Sequence, residues 1–183
     1  MNKRIALFCL LLLLPLALFA CGGGSGETSD APTETEATTE SSAQGNAGIA
    51  VVDVTAKRGD LARVTISIKE NPGFEGANLR LYYDADVLTP VSATGPSDGL
   101  FVSNAAGGAV PPTMGDTPYV SLVWAAATAM TEDGEIFTVT FRVREGGRVN
   151  TTLLSLGIVE LQKGGEEFTL PLYSGQIQIF DEE

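Results

Sequence analysis

The sequence predicts an all-β protein built as a single β-sandwich, preceded by an export signal and a spacer. Three observations carry this. From residue 49 to residue 180, short runs alternate apolar and polar side chains, the pattern of strands with one buried face. Turn-forming pairs separate the runs: Gly59-Asp60, Asn71-Pro72-Gly73, Gly107-Gly108, Asp133-Gly134, Gly146-Gly147 and Gly164-Gly165. Beyond the N-terminal leader no stretch carries the apolar period of a helix. Nothing repeats at a fixed interval, which argues against propellers and solenoids.

The leader comes first. Lys3 and Arg4 give a positive start, and residues 5–18 form an apolar run too short and wrongly flanked for a stable membrane span. Ala20 is the small residue that a signal peptidase needs before its cut. Leu18-Phe19-Ala20-Cys21 resembles a bacterial lipobox, in which the thiol takes a diacylglycerol and the preceding bond is then cleaved. Residues 1–20 are therefore read as a lipoprotein signal peptide and Cys21 as the lipidation site. The mature protein is expected to be an exported lipoprotein, anchored to a membrane at the bacterial cell surface.

Residues 21–47 differ in composition. Gly22-Gly23-Gly24-Ser25-Gly26 opens a stretch of Ser, Thr, Glu, Ala and Gly, with acids at Glu27, Asp30, Glu34, Glu36 and Glu40 and no large apolar residue. Nothing there offsets the entropy of ordering, so the segment is predicted to be a disordered acidic spacer. A flexible chain of about 27 residues has a root-mean-square span of roughly 25–30 Å, enough to lift a domain off a bilayer.

Composition narrows the function. The chain has no histidine, which removes the commonest general base and the commonest transition-metal ligand. It has two cysteines: Cys9 leaves with the signal and Cys21 takes the lipid, so the folded part must stand on its core without a disulfide. Formal net charge is -12. Cleavage removes two of the 11 basic residues and none of the 23 acidic ones, leaving -14. That charge disfavours nucleic acid and anionic headgroups, so membrane attachment rests on acyl chains.

Residues 48–183 are expected to form the domain. Val51-Val52-Asp53-Val54-Thr55 reads as the opening strand. In 63–69, Val64, Ile66 and Ile68 share a face. In 77–83, Leu79, Leu81 and Tyr83 point one way and Asn78, Arg80 and Tyr82 the other. Runs at 120–124, 137–143, 152–161 and 176–180 follow. In the first of these Leu122 and Trp124 are inward by parity, leaving Ser121, Val123 and Ala125 outward.

Several of the runs together resemble the cohesin family, the receptor half of the cohesin–dockerin pair. Residues 76–88, GANLRLYYDADVL, look like the family's strand-and-turn segment ending in Tyr-Asp and followed by Val-Leu. Residues 119–143, YVSLVWAAATAMTEDGEIFTVTFRV, resemble its later strand pair with Asp-Gly between. Gly59-Asp60 fits its opening and Ser174-Gly175-Gln176-Ile177-Gln178-Ile179 its closing strand. The resemblance covers 49–180 in order. It implies a jelly-roll sandwich of about nine strands; the lack of histidine, of a free mature cysteine and of a facing carboxylate pair argues against catalysis. The resemblance also implies a partner-binding face made by Asn78, Arg80, Tyr82, Ser121, Val123 and Ala125; Glu160 is expected to lie away from it. The implied partner is a dockerin-bearing protein, of the glycoside hydrolase kind, and the setting polysaccharide degradation. Direct binding of polysaccharide by the same sandwich is the alternative, and an adhesive or structural surface domain a third reading.

Trp124 has inward parity and reads as core rather than as a sugar platform. Tyr82 is outward and serves either a partner or a solvated face equally well. Asp84 and Asp86 read as turn chemistry rather than calcium ligands. Asp116, Glu132 and Asp133 match no calcium-loop spacing. Glu132 and Asp133 are adjacent on a turn, a placement that seldom sets two carboxylates facing each other across a glycosidic bond. No catalytic residue, metal site or cofactor is assigned.

Overall fold

A computed structural model describes residues 47–105, 113–115, 117–146 and 150–181, without the side chains at 158 and 159. The leader, Cys21, nearly all of the spacer and Asp116 lie outside the described residues. The described residues form thirteen strands and no helix. They are β1 (Gly48–Val51), β2 (Val54–Lys57), β3 (Leu61–Lys69), β4 (Phe74–Tyr82), β5 (Leu88–Thr94), β6 (Leu100–Ser103) and β7 (Thr113–Met114). Then come β8 (Thr117–Met130), β9 (Gly134–Val143), β10 (Thr151–Lys163), β11 (Glu166–Glu167), β12 (Leu172–Tyr173) and β13 (Gly175–Phe180).

Two sheets result. One has the order β12-β1-β3-β9-β5. The other has β2-β13-β10-β4-β8-β6, with β11 added to β10 and β7 to β8. The strand pairs β1–β12 and β2–β13 are parallel, and the other pairs are antiparallel. Chain start and chain end thus each contribute one strand to each sheet. This is the jelly-roll sandwich that the resemblance implied.

Alternation builds the core. Ala62, Val64, Ile66 and Ile68 of β3 and Leu79 and Leu81 of β4 are buried, as are Val120, Leu122 and Trp124 of β8 and Val139, Phe141 and Val143 of β9. The Trp124 ring meets Phe74 edge-on, with centroids 5.6 Å apart and planes at 82°. Tyr83 tilts against Phe141 at 5.2 Å. Burial pushes its phenol above the ordinary value of 10.0, and Arg144 partly opposes the shift. Such pairs add to the area that the rings already remove from water.

Two expectations need correction. The count is thirteen rather than about nine, partly because β7, β11 and β12 are two-residue strands that sequence periodicity cannot register. The opening run is not one strand. It breaks at Val52 and Asp53, and the chain crosses from one sheet to the other. The break is held by the Val52 amide donating to the Thr65 carbonyl at 2.9 Å, and by the Asp53 carboxylate accepting from the Gln176 amide at 2.9 Å. Strand β5, absent from the runs read in the sequence, carries Pro90. The ladder accommodates it where the register shifts between Pro90 and Ser92.

The turn after β3 is latched to the turn before β9. The Asp133 carboxylate accepts from the Glu70 amide at 3.0 Å and the Asn71 amide at 2.8 Å. The Asn71 side-chain amide donates to the Met130 and Glu132 carbonyls at 3.1 and 3.0 Å. Glu70 has a φ of 54° there, a backbone conformation that a side chain resists and that the latch holds. Two amide hydrogen bonds keep the Asp133 carboxyl below its ordinary range, with burial opposing weakly. The Asp133 carboxylate is thereby engaged in the turn, to which Glu132 contributes its backbone carbonyl.

Candidate functional site

The outer face of β10-β4-β8-β6 gathers the residues singled out by parity. Asn78 stands opposite Val123, and Arg80 opposite Ser121. Gly76 faces Ala125, and Tyr82 faces Tyr119. Directly opposed residues of an antiparallel pair share a face. All six expected residues therefore lie on one surface.

Four further residues belong to it. On β6, Val102 stands opposite Val123 and Leu100 opposite Ala125. Leu100 is 70% exposed, Val102 55% and Val123 37%. With Ala125 they make an exposed apolar strip across the end of the sheet. The signal was present in Leu100-Phe101-Val102, but the run is too short to separate from loop by alternation alone. Where β6 ends, the Asn104 side chain takes over the ladder: its oxygen accepts from the Ser121 amide at 2.7 Å, and its nitrogen donates to the Tyr119 carbonyl at 3.4 Å. Tyr119 was within reach of the β8 parity extended by one pair.

Glu160 is the fourth, and here the expectation fails. It stands directly opposite Asn78, on this face rather than away from it. The register shifts between Ile158 and Glu160, so the inward parity of Thr152 and Leu154 passes to Leu161. One irregular residue flips every side chain after it. The Glu160 carboxylate accepts from the Gln162 side-chain amide.

At the other end of the face a polar cluster forms. The Arg80 guanidinium lies 4.9 Å from the Tyr119 ring centroid. Tyr82 meets Tyr119 edge-on at 5.8 Å. The tight β7–β8 hairpin turns at Gly115, whose φ of 63° suits glycine, and brings Met114 over both. Arg80 Nη1 and Tyr82 Oη each donate to the Met114 sulfur, at 3.2 and 3.1 Å. On β10, Gly157 stands opposite Arg80, and a β-carbon there would come within 3.0 Å of Tyr82 Cε2. The bare backbone thus lets the Tyr82 ring lie close against the strand.

Beyond Tyr82 the face runs into an open groove of about 520 Å³, lined by Asp84, Asp86, Thr117, Pro118 and Leu153 among others. Asp84 is a turn residue, as expected: its Oδ1 accepts from the Asp86 amide at 2.9 Å and its carbonyl accepts from the Val87 and Leu88 amides. Among the described residues no group of three or more acids or cysteines is placed to hold a metal. Trp124 is 1% exposed beneath the face, so it offers no surface for stacking.

The arrangement is an open sheet face with a small apolar strip, hydrogen-bonding groups beside it, and the charged Arg80 and Glu160. The chain matches the cohesin domain model over residues 47–179. It belongs to the cohesin family, whose domains are non-catalytic protein-interaction modules. The solved structures it resembles include a type I cohesin–dockerin complex from Clostridium thermocellum, at 16% identity and TM-score 0.60 over 74% of this chain and 100% of that one. A non-cellulosomal cohesin from the hyperthermophilic archaeon Archaeoglobus fulgidus matches at 24% identity and TM-score 0.58, over 73% and 90%. A cohesin from Clostridium acetobutylicum in solution matches at 14% identity and TM-score 0.57, over 73% and 92%. No curated protein matches significantly by sequence.

Proposed function

We propose that this protein docks a dockerin-bearing partner through the outer face of β10-β4-β8-β6. The observation that carries the reading is the exposed strip of Leu100, Val102, Val123 and Ala125, flanked by Asn78, Arg80 and Tyr82. A dry centre with a polar margin is what a protein interface needs. A helix laid across the strands would cover it. Membership of the cohesin family supports the choice of partner. So does the likeness to cohesins solved as dockerin complexes.

The setting is part of the same proposal. Residues 1–20 act as a lipoprotein signal, Cys21 carries the lipid, and residues 21–47 hold the domain of residues 48–183 clear of the membrane. The partner is an enzyme of polysaccharide degradation kept close to the cell. Calorimetric titration of the protein with dockerin modules encoded by the same genome tests the docking. A Kd of about 1 μM or tighter for one of them supports it. Absence of measurable heat with every dockerin tried contradicts it.

A further inference from the structure

The chain has three methionines. Met1 opens the leader, and Met130 packs against the hydrophobic core. Met114 is different: it is 56% exposed, and its sulfur receives hydrogen bonds from two residues of the docking face, Arg80 at 3.2 Å and Tyr82 at 3.1 Å. A thioether is a weak acceptor, and these are two good donors, one of them charged. They converge on an atom whose oxidation product is a far better acceptor.

We infer that Met114 is an oxidation site that controls the docking face. The inference rests on the docking reading above. A peroxide is the oxidant. A lone pair on the Met114 sulfur attacks one peroxide oxygen, the S–O bond forms as the O–O bond breaks, and sulfur loses two electrons. For hydrogen peroxide the departing hydroxide takes the remaining proton and leaves as water. The product is methionine sulfoxide, polar where the thioether was apolar.

Geometry sets the consequence. The sulfoxide oxygen takes the hydrogen bonds of the Arg80 guanidinium and the Tyr82 hydroxyl, which already point at the sulfur. Both side chains are then held under the β7–β8 hairpin by strong bonds and are withdrawn from an incoming helix. The hairpin also replaces an apolar contact with a polar, hydrated one at the edge of the face. Oxidation therefore weakens docking without disturbing the core, because Met114 packs on the outside of the sheet.

The test uses the purified chain treated with dilute hydrogen peroxide and followed by peptide mass spectrometry. The Met114 peptide should gain one oxygen well before the Met130 peptide does. Oxidation of Met130 first, or no oxygen on Met114, overturns the inference. Titration with a dockerin that binds the reduced protein should show a loss of affinity of about tenfold after oxidation, the scale of one lost charged hydrogen bond. Met114→Leu protein should bind the same before and after peroxide. Equal affinity of reduced and oxidised wild type overturns the switch and leaves the docking intact. A reduced protein that binds no dockerin at all overturns the docking reading and the switch with it.

Discussion

The carboxylate of Asp133 accepts the backbone amide of Asn71 at 2.8 Å, and the side chain of Asn71 in return donates to the carbonyls of Met130 and Glu132. Two turns that are far apart in sequence are thereby locked at one end of the sandwich. The Asp133 carboxyl is held below the ordinary carboxylate value of 3.8 because its charged form accepts the two amides. A depressed carboxyl stabilises the fold above its unfolded pKa, and that stability disappears as pH falls through the folded value. Asp133→Ala should therefore lower the melting temperature at neutral pH, and the gap from wild type should narrow as pH drops below 3.8. A gap that stays constant down to strong acid would show that the carboxylate charge plays no part.

Trp124 lies against Phe74 in the middle of the core. Trp124→Ala should destabilise the domain by about 3–5 kcal/mol, from lost transfer and an unfilled cavity. Urea unfolding at one temperature gives the number. A loss under about 1 kcal/mol would mean that the ring is not part of the packed interior.

Membrane attachment is expected to depend on Cys21 alone, since the spacer is acidic and offers no basic second signal. Cys21→Ser should move the protein from the membrane fraction to the soluble one, and mass spectrometry of the wild type should find acyl chains on its N-terminal peptide. Retention of the variant in membranes, with no lipid on the wild type, would rule the anchor out.

Much of this was legible because strand parity is a local property. The alternation of Asn78, Arg80 and Tyr82 against Leu79, Leu81 and Tyr83 follows from the pleat, as does the outward turn of Ser121, Val123 and Ala125. Pairing of the two strands then places all six on one face. What the sequence hid depends on long-range register. Val102 and Leu100 join the face only because β6 pairs with the edge of β8, which a four-residue run does not announce. Glu160 changes sides at a bulge that no single residue signals. Met114 reaches Arg80 and Tyr82 through a two-residue hairpin strand. The break at Asp53 likewise rests on an amide more than a hundred residues away in Gln176.

Docking through the β10-β4-β8-β6 face is most directly tested at Val123, which stands between Asn78 and Val102 at the dry centre. A carboxylate placed there is desolvated by a bound helix, and its directly opposed neighbours, Asn78 and Val102, carry no positive charge. The measurement is calorimetric titration with a dockerin that binds the wild type, beside Arg63→Ala on the outer face of the other sheet, opposite Thr140. Val123→Asp should lose about 2 kcal/mol or more of binding free energy while its melting curve stays cooperative. Arg63→Ala should bind as wild type does. Unchanged affinity of Val123→Asp would contradict the assignment and move the partner to another surface.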